Sequence, residues 1–403
     1  MEFWKRNLYS VWIAQFITGI GLNMVMPFLP IYLRDLGVNE DQSLKIWSGV
    51  VFSSTFMVSA CMQPLWGILG DRIGRKPMIV RALLGIALAN ILIAFAQTPY
   101  HLLLCRLFQG CFAGFFAPSL ALVSSSTPEK DTGYALGTLQ MALISSLILG
   151  PFLGGVLIHF MGAQSIFLLT GVLCFCGSLI VLRFVKETTR PSRERRKSSL
   201  RNNLRSVFYT PELRNLFFLL LIIQFSLFFV APFLTLYVEF LGVQQENVGL
   251  MSGAVFGVTG ITSALTSQFW GRRADRVGYR RVLRTGLIGI TAFLAPMAIV
   301  TDAWQLLICR AGMGLAVSAT VPIINSLVRH LTKESERGGI YGIFQSGYLI
   351  GNMIGPLSGG WLAALMGMRV IFLATAGFLC IGVLMERSMK RLDRITGGER
   401  QPN

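Results

Sequence analysis

Two arginines occupy positions where a long apolar chain tolerates them poorly. Arg106 and Arg310 each fall about a third of the way into an apolar run, where an arginine costs about 2.5–3.5 kcal/mol on insertion scales. Each follows a cysteine and precedes a glycine by four residues, as Cys105-Arg106 with Gly110 and Cys309-Arg310 with Gly314. A buried arginine usually pairs with a carboxylate, yet none of the 19 Asp and Glu lies inside an apolar run; Asp71, Glu239, Asp275 and Glu386 stand at the edges. The two guanidinia must therefore face a wet cavity, backbone carbonyls or a bound anion. Other polar side chains are spaced to join them. Gln15, Gly19 and Asn23 share one helical face at four-residue spacing, as do Gln345, Tyr348 and Asn352. Gln109 stands one turn from Arg106, and Gln140 and Gln345 are 205 residues apart. For each of these polar residues, a hydrogen bond between helices is the alternative to lining a cavity. Phe225, Phe228 and Phe229, with Phe112, Phe115 and Phe116, offer aromatic surface to a cavity or to lipid. His159 stands at the end of an apolar run, where a lone histidine is either structural or a proton carrier.

The elements that position these residues are membrane spans. The chain has 403 residues, 53% of them hydrophobic and 14% charged, with a mean hydropathy of +0.61. A water-soluble fold could not hide that much apolar side chain, whereas a helix of roughly 20 apolar residues crosses a bilayer. Twelve such runs are present, at about 8–33, 47–67, 78–96, 99–124, 133–160, 165–184, 213–238, 247–270, 281–300, 302–327, 339–363 and 369–386. Their length excludes strands, and helices satisfy their own backbone in lipid. The first run is full length and lacks a small-residue cleavage pattern, so no removable signal peptide is expected. The net charge of +17 does not mark a nucleic-acid surface. With both termini in the cytoplasm, 31 of the 36 Lys and Arg fall in cytoplasmic segments, three (Arg34, Lys45, Arg369) outside and two within spans; this is the positive-inside bias. All seven cysteines fall within spans, as small packing residues.

The chain repeats itself at an offset of 204 or 205 residues. Pro27-Phe28-Leu29 recurs as Pro232-Phe233-Leu234, Gly67-x3-Asp71-Arg72-x-Gly74 as Gly271-x3-Asp275-Arg276-x-Gly278, and Gly150-Pro151-x2-Gly154-Gly155 as Gly355-Pro356-x2-Gly359-Gly360. Each copy holds six spans, so both enter the membrane from the same side, and a substrate site is expected between them near the midplane. The expected organisation is an N-terminal six-helix bundle over 1–184, a basic cytoplasmic linker over 185–212, a C-terminal six-helix bundle over 213–388 and a tail over 389–403. The linker run from Arg190 to Ser199 is strongly basic and suited to anionic headgroups.

Three blocks carry a family resemblance. Trp66-Gly67-Ile68-Leu69-Gly70-Asp71-Arg72-Ile73-Gly74-Arg75-Lys76 resembles the loop 2–3 signature of the major facilitator superfamily, and Gly271 to Arg281 its degenerate copy. Leu104-x-Arg106-x2-Gln109-Gly110 resembles the helix-4 signature of the proton-driven branches. Gly137-x8-Ser146-x3-Gly150-Pro151-x2-Gly154-Gly155 is similar to the helix-5 antiporter signature, with serine at one glycine position; Gly342, Gly351, Gly355, Pro356, Gly359 and Gly360 give the unbroken version. The resemblance covers the whole chain and is closest to the twelve-helix drug:proton antiporter branch. It implies an all-helical fold of two pseudo-symmetric bundles, and a cytoplasmic latch at Gly67, Asp71, Arg72, Gly74, Arg75, Asp275 and Arg276. In the residues themselves, Gly67 and Gly74 permit a tight turn, and Asp71 is a carboxylate able to cap a helix N-terminus or pair with Arg72 or Arg75. Gly150, Gly154, Gly155, Gly351 and Gly355 suit close helix packing, and Pro151 and Pro356 invite bends.

The expected function is export of amphipathic small molecules by alternating access in exchange for protons. Neutral or anionic substrates are favoured, because a lipophilic cation would need the buried carboxylate that is lacking. A dedicated exporter of an anionic metabolite such as a carboxylate siderophore is the alternative, and an uptake symporter a further one. Asp71, His159 and the substrate itself are the candidate proton carriers. No nucleotide loop, metal cluster or nucleophile–base set is evident, so neither enzymatic activity, metal nor cofactor is expected beyond the proton gradient. The expected partners are the substrate and membrane lipid, without nucleic acid, on a monomer.

Overall fold

A computed structural model describes residues 2–187, 200–333 and 336–389. The basic run from Arg190 to Ser199 and all but the first residue of the tail lie outside them, as does the side chain of Asp71. Among the described residues all twelve expected spans are helices. They are α1 Phe3–Asp35, α2 Asp41–Ile73, α3 Arg75–Ala94, α4 Pro99–Ser126, α5 132–161, α6 163–184, α7 Pro211–Phe240, α8 Gln245–Val277, α9 Tyr279–Ala298, α10 Ala303–Leu331, α11 Arg337–Met366 and α12 Met368–Ser388. α5 and α6 meet at Gly162, whose φ of 74° and ψ of 166° let the chain reverse without a loop. α1 and α7 carry the same interruption, a 3₁₀ turn over Met26–Phe28 and Ala231–Phe233, where Pro27 and Pro232 remove a helical donor. α4 breaks at 113–115, with Gly114 at φ 101°. α5 and α11 run on through Pro151 and Pro356.

Two compact units emerge from the packing. The first comprises residues 1–195 with Pro232–Gly257, and the second 196–231 with 258–403. In the first, Leu8 and Val11 of α1, Ile79 and Leu83 of α3, Leu139 of α5 and Val181 of α6 close one core. α1 and α6 are also zipped at their cytoplasmic ends, where the Asn7 side chain donates to the Lys186 carbonyl (2.8 Å) and accepts from the Lys186 amide (3.0 Å). Small residues set the α1–α5 distance. A methyl group at Gly150 would lie 2.5 Å from Asn23 Cβ, and one at Gly154 2.5 Å from the Met24 carbonyl oxygen. In the second unit α11 lies equally close on α7, with Gly355 2.7 Å by the same measure from the Phe225 carbonyl. A short amphipathic helix, Leu200–Tyr209, precedes α7 and packs by Val207 on α7 and α11.

The structure corrects one part of the expected latch. Gly67, Asp71 and Arg72 do not form a loop; α2 continues through them to Ile73. Gly67 has open space around the position a Cβ would take, so nothing among the described residues requires glycine there. The turn is made by Gly74 alone, at φ 111°, and in the second copy by Gly278, at φ 99°.

Candidate functional site

Arg106 is only 7% exposed, far drier than a residue facing open water. Its Nη1 donates to Gln109 Oε1 at 3.0 Å, and its guanidinium lies over the Phe167 ring, 5.4 Å from the centroid. Gln109, 4% exposed, comes from the next turn of α4, which is why the three-residue spacing matters. No ion pair among the described residues includes Arg106, and its Nε is buried without a hydrogen-bond partner. A guanidinium offers five N–H donors, and a buried unsatisfied one costs about 1–3 kcal/mol. The site therefore holds an uncompensated charge and at least one unused donor, which an entering anion or polar group could satisfy.

The backbone around Arg106 is fixed by α2. Thr55 Oγ1 donates to the Arg106 carbonyl (3.2 Å), Ser59 Oγ to that of Gly110 (3.3 Å) and Trp66 Nε1 to that of Cys111 (2.7 Å). Gly110 makes this possible, since a Cβ there would sit 2.7 Å from the Thr55 carbonyl oxygen. The second unit repeats the seam at equivalent positions. Thr259 donates to the Arg310 carbonyl (3.3 Å), Trp270 to that of Leu315 (2.6 Å), and a Cβ at Gly314 would lie 2.5 Å from the Thr259 carbonyl oxygen. Arg310 is less buried than Arg106, and its Nη1 meets Met313 Sδ at 3.8 Å, where the first copy has Gln109.

The other candidate residues divide into packing and exposed groups. Gln15, 1% exposed, donates to the Leu139 carbonyl on α5 (3.4 Å), and Asn23 Nδ2 donates to the Gly19 carbonyl (2.8 Å). That face of α1 packs on α5. Asn352 is buried and accepts from Gln224 Nε2 (3.3 Å), while Tyr348 and Phe228 are half-buried. Gln140 and Gln345, the repeat-related pair, are both exposed. Ser146, which replaces a signature glycine, packs on Gly19, where a Cβ would lie 2.3 Å from Ser146 Oγ. The equivalent contact in the second unit is reversed, with Gly351 on α11 against Gln224 on α7 (2.8 Å to Gln224 Cβ).

At the cytoplasmic ends the charged residues act on helix termini. Glu187, beyond the end of α6, accepts from the backbone amides of Arg75 and Lys76 at 2.8 and 2.9 Å and so caps α3. Arg75 donates to the Ala121 carbonyl and to Ser125 Oγ (2.8 Å), tying down the end of α4. In the second copy Tyr279 replaces Arg75 and donates to Asp275 Oδ1 at 2.7 Å. Arg280 there pairs with a fully buried Glu386 at 2.8 Å. Nothing in the sequence pattern pointed to Glu187 as the cap; Glu386 stood only as an edge acid. On the outer face Arg34 and Glu239 form an ion pair at 2.6 Å, and the Thr235 hydroxyl donates to the Pro27 carbonyl at 2.5 Å. Arg34 and Glu239 are repeat-equivalent positions of opposite charge, which is the signal that could have found them. Nearby, Gly155 lies against Gly249 and Gly253 of α8, and His159 Nδ1 is 2.9 Å from the Glu246 carbonyl.

Comparison with known proteins places this arrangement. The family model described as Major Facilitator Superfamily matches residues 11–266 and 216–400. The chain belongs to the Major Facilitator Superfamily. Among curated members, it is 38% identical over 378 residues to the multidrug resistance protein MdtG of Dickeya zeae, covering 94% of this chain and 93% of that one. It is 36% identical to MdtG of Proteus mirabilis, covering 94% and 95%. Superfamily structures share the fold at low identity. A bacterial homolog of the human lysosomal transporter Spinster, in an inward-facing and occupied conformation, gives a TM-score of 0.82 at 14% identity, covering 97% of this chain and 98% of that one. The nucleoside transporter NupG gives 0.78 at 14%, covering 95% and 98%. This superfamily member, with its membrane-length helices and bacterial relatives, is a multi-pass protein of the bacterial inner membrane.

Proposed function

We propose that this chain is a secondary transporter that exports amphipathic, drug-like small molecules, neutral or anionic ones favoured, by alternating access in exchange for protons. The observation that carries the substrate preference is Arg106, a dry guanidinium with one amide partner, one aromatic face and no carboxylate. Relatives named multidrug resistance protein at 36–38% identity over almost the whole chain support export of drug-like compounds. A positive site of this kind attracts anions and polar neutral molecules and repels permanent cations. Transport on this reading involves no covalent step and no resident cofactor. The energy comes from inward proton flow, and the protein works as a monomer in contact with lipid and substrate alone.

The test is accumulation in everted membrane vesicles under an imposed pH gradient, with a citrate-like anionic chelator and a permanent cationic dye compared. Gradient-driven uptake of the anion, reduced at least tenfold in Arg106→Ala, is expected. Equal or faster uptake of the dye, unchanged in Arg106→Ala, would remove the substrate preference and reduce Arg106 to a structural role.

A further inference from the structure

One further guanidinium lies outside the Arg106 site. Arg81 stands on α3, where the helix has risen ~9 Å from Arg75 at 1.5 Å per residue. All three of its side-chain nitrogens are buried, and none has a hydrogen-bond partner among the described residues. No ion pair among those residues includes it. Its guanidinium instead faces a ring, 3.7 Å from the centroid of Trp66 on α2. Phe112 of α4 stacks against Trp66, with centroids 6.5 Å apart and planes at 27°, and Phe108 follows 4.9 Å from Phe112. Phe112 reaches α3 at Gly85, where a Cβ would lie 2.1 Å from the Phe112 Cγ. Trp66 also lines a recess of about 280 Å³ with Met62, Leu65, Leu69 and Arg72.

Neither the fold nor the topology requires this set. At the offset of 204 the second copy has Thr285 for Arg81, Ala316 for Phe112 and Gly312 for Phe108. Trp270 there still donates to the Leu315 carbonyl (2.6 Å), and a Cβ at Gly289, the counterpart of Gly85, would lie 2.8 Å from Ala316 Cβ. The Thr285 hydroxyl turns back to the Arg281 carbonyl (2.9 Å). The same helices therefore close without the cation and without either phenyl ring. A charge that marks the cytoplasmic side acts from an exposed helix end, as Arg72 does. Nitrogens covered by protein serve no such purpose, and a guanidinium buried without hydrogen bonds is costly to retain.

We propose that Arg81, Trp66 and Phe112 form an inner binding position for an aromatic carboxylate or sulfonate. The oxyanion takes the paired N–H donors of Arg81, a stronger match for a guanidinium than the face of a ring. The aromatic body of the ligand stacks beside Trp66 and Phe112 in their place. Binding here does not depend on the direction or energy source of transport. A role as the position occupied before Arg106 rests on the export reading above; the next polar side chains back along α4 from Phe112 are Gln109 and Arg106. The two claims fail separately, because labelling needs no gradient and vesicle uptake does.

The experiment uses the full chain in nanodiscs of zwitterionic lipid and a photoactivatable benzophenone carboxylate, with the corresponding primary amide as the uncharged control. After illumination, label is mapped to residues 62–69 of α2 and 108–116 of α4. The carboxylate is expected to label these segments at least fivefold more than the amide does. Arg81→Gln is expected to abolish that excess, and Arg106→Ala to leave most of it. The unfolding midpoint of Arg81→Gln is expected to stay or rise, since the change removes a buried charge that has no partner. Equal labelling by acid and amide overturns the proposal, as does an excess that survives Arg81→Gln. An excess lost only in Arg106→Ala assigns the anion to the site already described and overturns it as well. A lowered midpoint in Arg81→Gln shows that Arg81 holds the fold, and the binding role falls with it.

Discussion

Arg106 and Arg310 stand at equivalent points of the repeat and rest on the same backbone seam, yet their side chains have different surroundings. In both, a threonine of the preceding even-numbered helix donates to the arginine carbonyl, a tryptophan donates to a carbonyl five residues on, and a glycine four residues on lets the helices touch. At the guanidinium the copies part, with Gln109 and Phe167 around Arg106 and the Met313 sulfur beside Arg310. The seam is a packing solution, and its loss in either copy would part helices that meet backbone to backbone. The side-chain environment is under no such constraint. Duplication has thus kept the scaffold twice, and the more buried guanidinium, with its amide partner, stands in the first copy.

The largest effect is expected from breaking the shared seam. A side chain at Gly110 or Gly314 would meet backbone oxygen, at 2.7 and 2.5 Å from its Cβ, as well as the Val58 side chain in the first copy and the Thr262 hydroxyl in the second. Gly110→Leu and Gly314→Leu should each destabilise by about 3 kcal/mol or more. Thermal unfolding in detergent and the yield of monodisperse protein report this. The two variants should fail to a similar degree. Failure of only one would show that the two seams are not equivalent in energy, and the comparison would lose its common term.

The copies also differ in where they place a small residue. The first unit has Gly19 on α1 facing Ser146 on α5; the second has Gln224 on α7 facing Gly351 on α11. Serine at a signature position of α5 is therefore matched by glycine on the opposing helix. Gly19→Gln alone should cost about 2 kcal/mol from overpacking. Combining it with Ser146→Gly recreates the second-unit arrangement and should recover about 1 kcal/mol, a coupling within the range for residues in contact. Additive losses in the double variant would show that Ser146 and Gly19 do not compensate one another.

The same contrast separates what the sequence made legible from what it did not. Apolar run length gives twelve helices, because a spanning helix must satisfy its backbone internally whatever its neighbours are. The offset of 204 or 205 gives Arg106 and Gly110 their counterparts Arg310 and Gly314, while the seam donors Thr55 and Trp66, also in register with Thr259 and Trp270, are recognisable only once α2 is seen against α4. The burial of Arg106 against Phe167 was hidden, as it depends on α6 closing over α4, and no spacing within one helix reports that. Gln15 and Asn23 fell on one face as expected, but a polar stripe looks identical whether it lines a cavity or packs on glycines. The cap of α3 was hidden for a similar reason. Glu187 lies 112 residues from the amide of Arg75 that it accepts from, and Asp71, next to the turn, was the nearer carboxylate in sequence.

The smallest effect tests whether the seam is held by hydrogen bonds or by contact alone. Thr55→Val removes the donor to the Arg106 carbonyl while keeping the shape of the side chain, and Thr259→Val does the same at Arg310. One such bond contributes about 1 kcal/mol net. Each carbonyl also sits in a helix, where the amide four residues on already serves one lone pair, so the loss should not exceed that figure. The glycine contact is untouched. Both variants should therefore fold, with a lowering of the unfolding midpoint well below that of the leucine variants. If Thr55→Val alone impairs vesicle transport of the anion at unchanged stability, the hydroxyl acts through the orientation of Arg106, and the first-copy seam serves the site as well as the fold. If neither variant alters transport, the seam is scaffold in both copies, and the difference between them lies wholly in the partners of the two guanidinia.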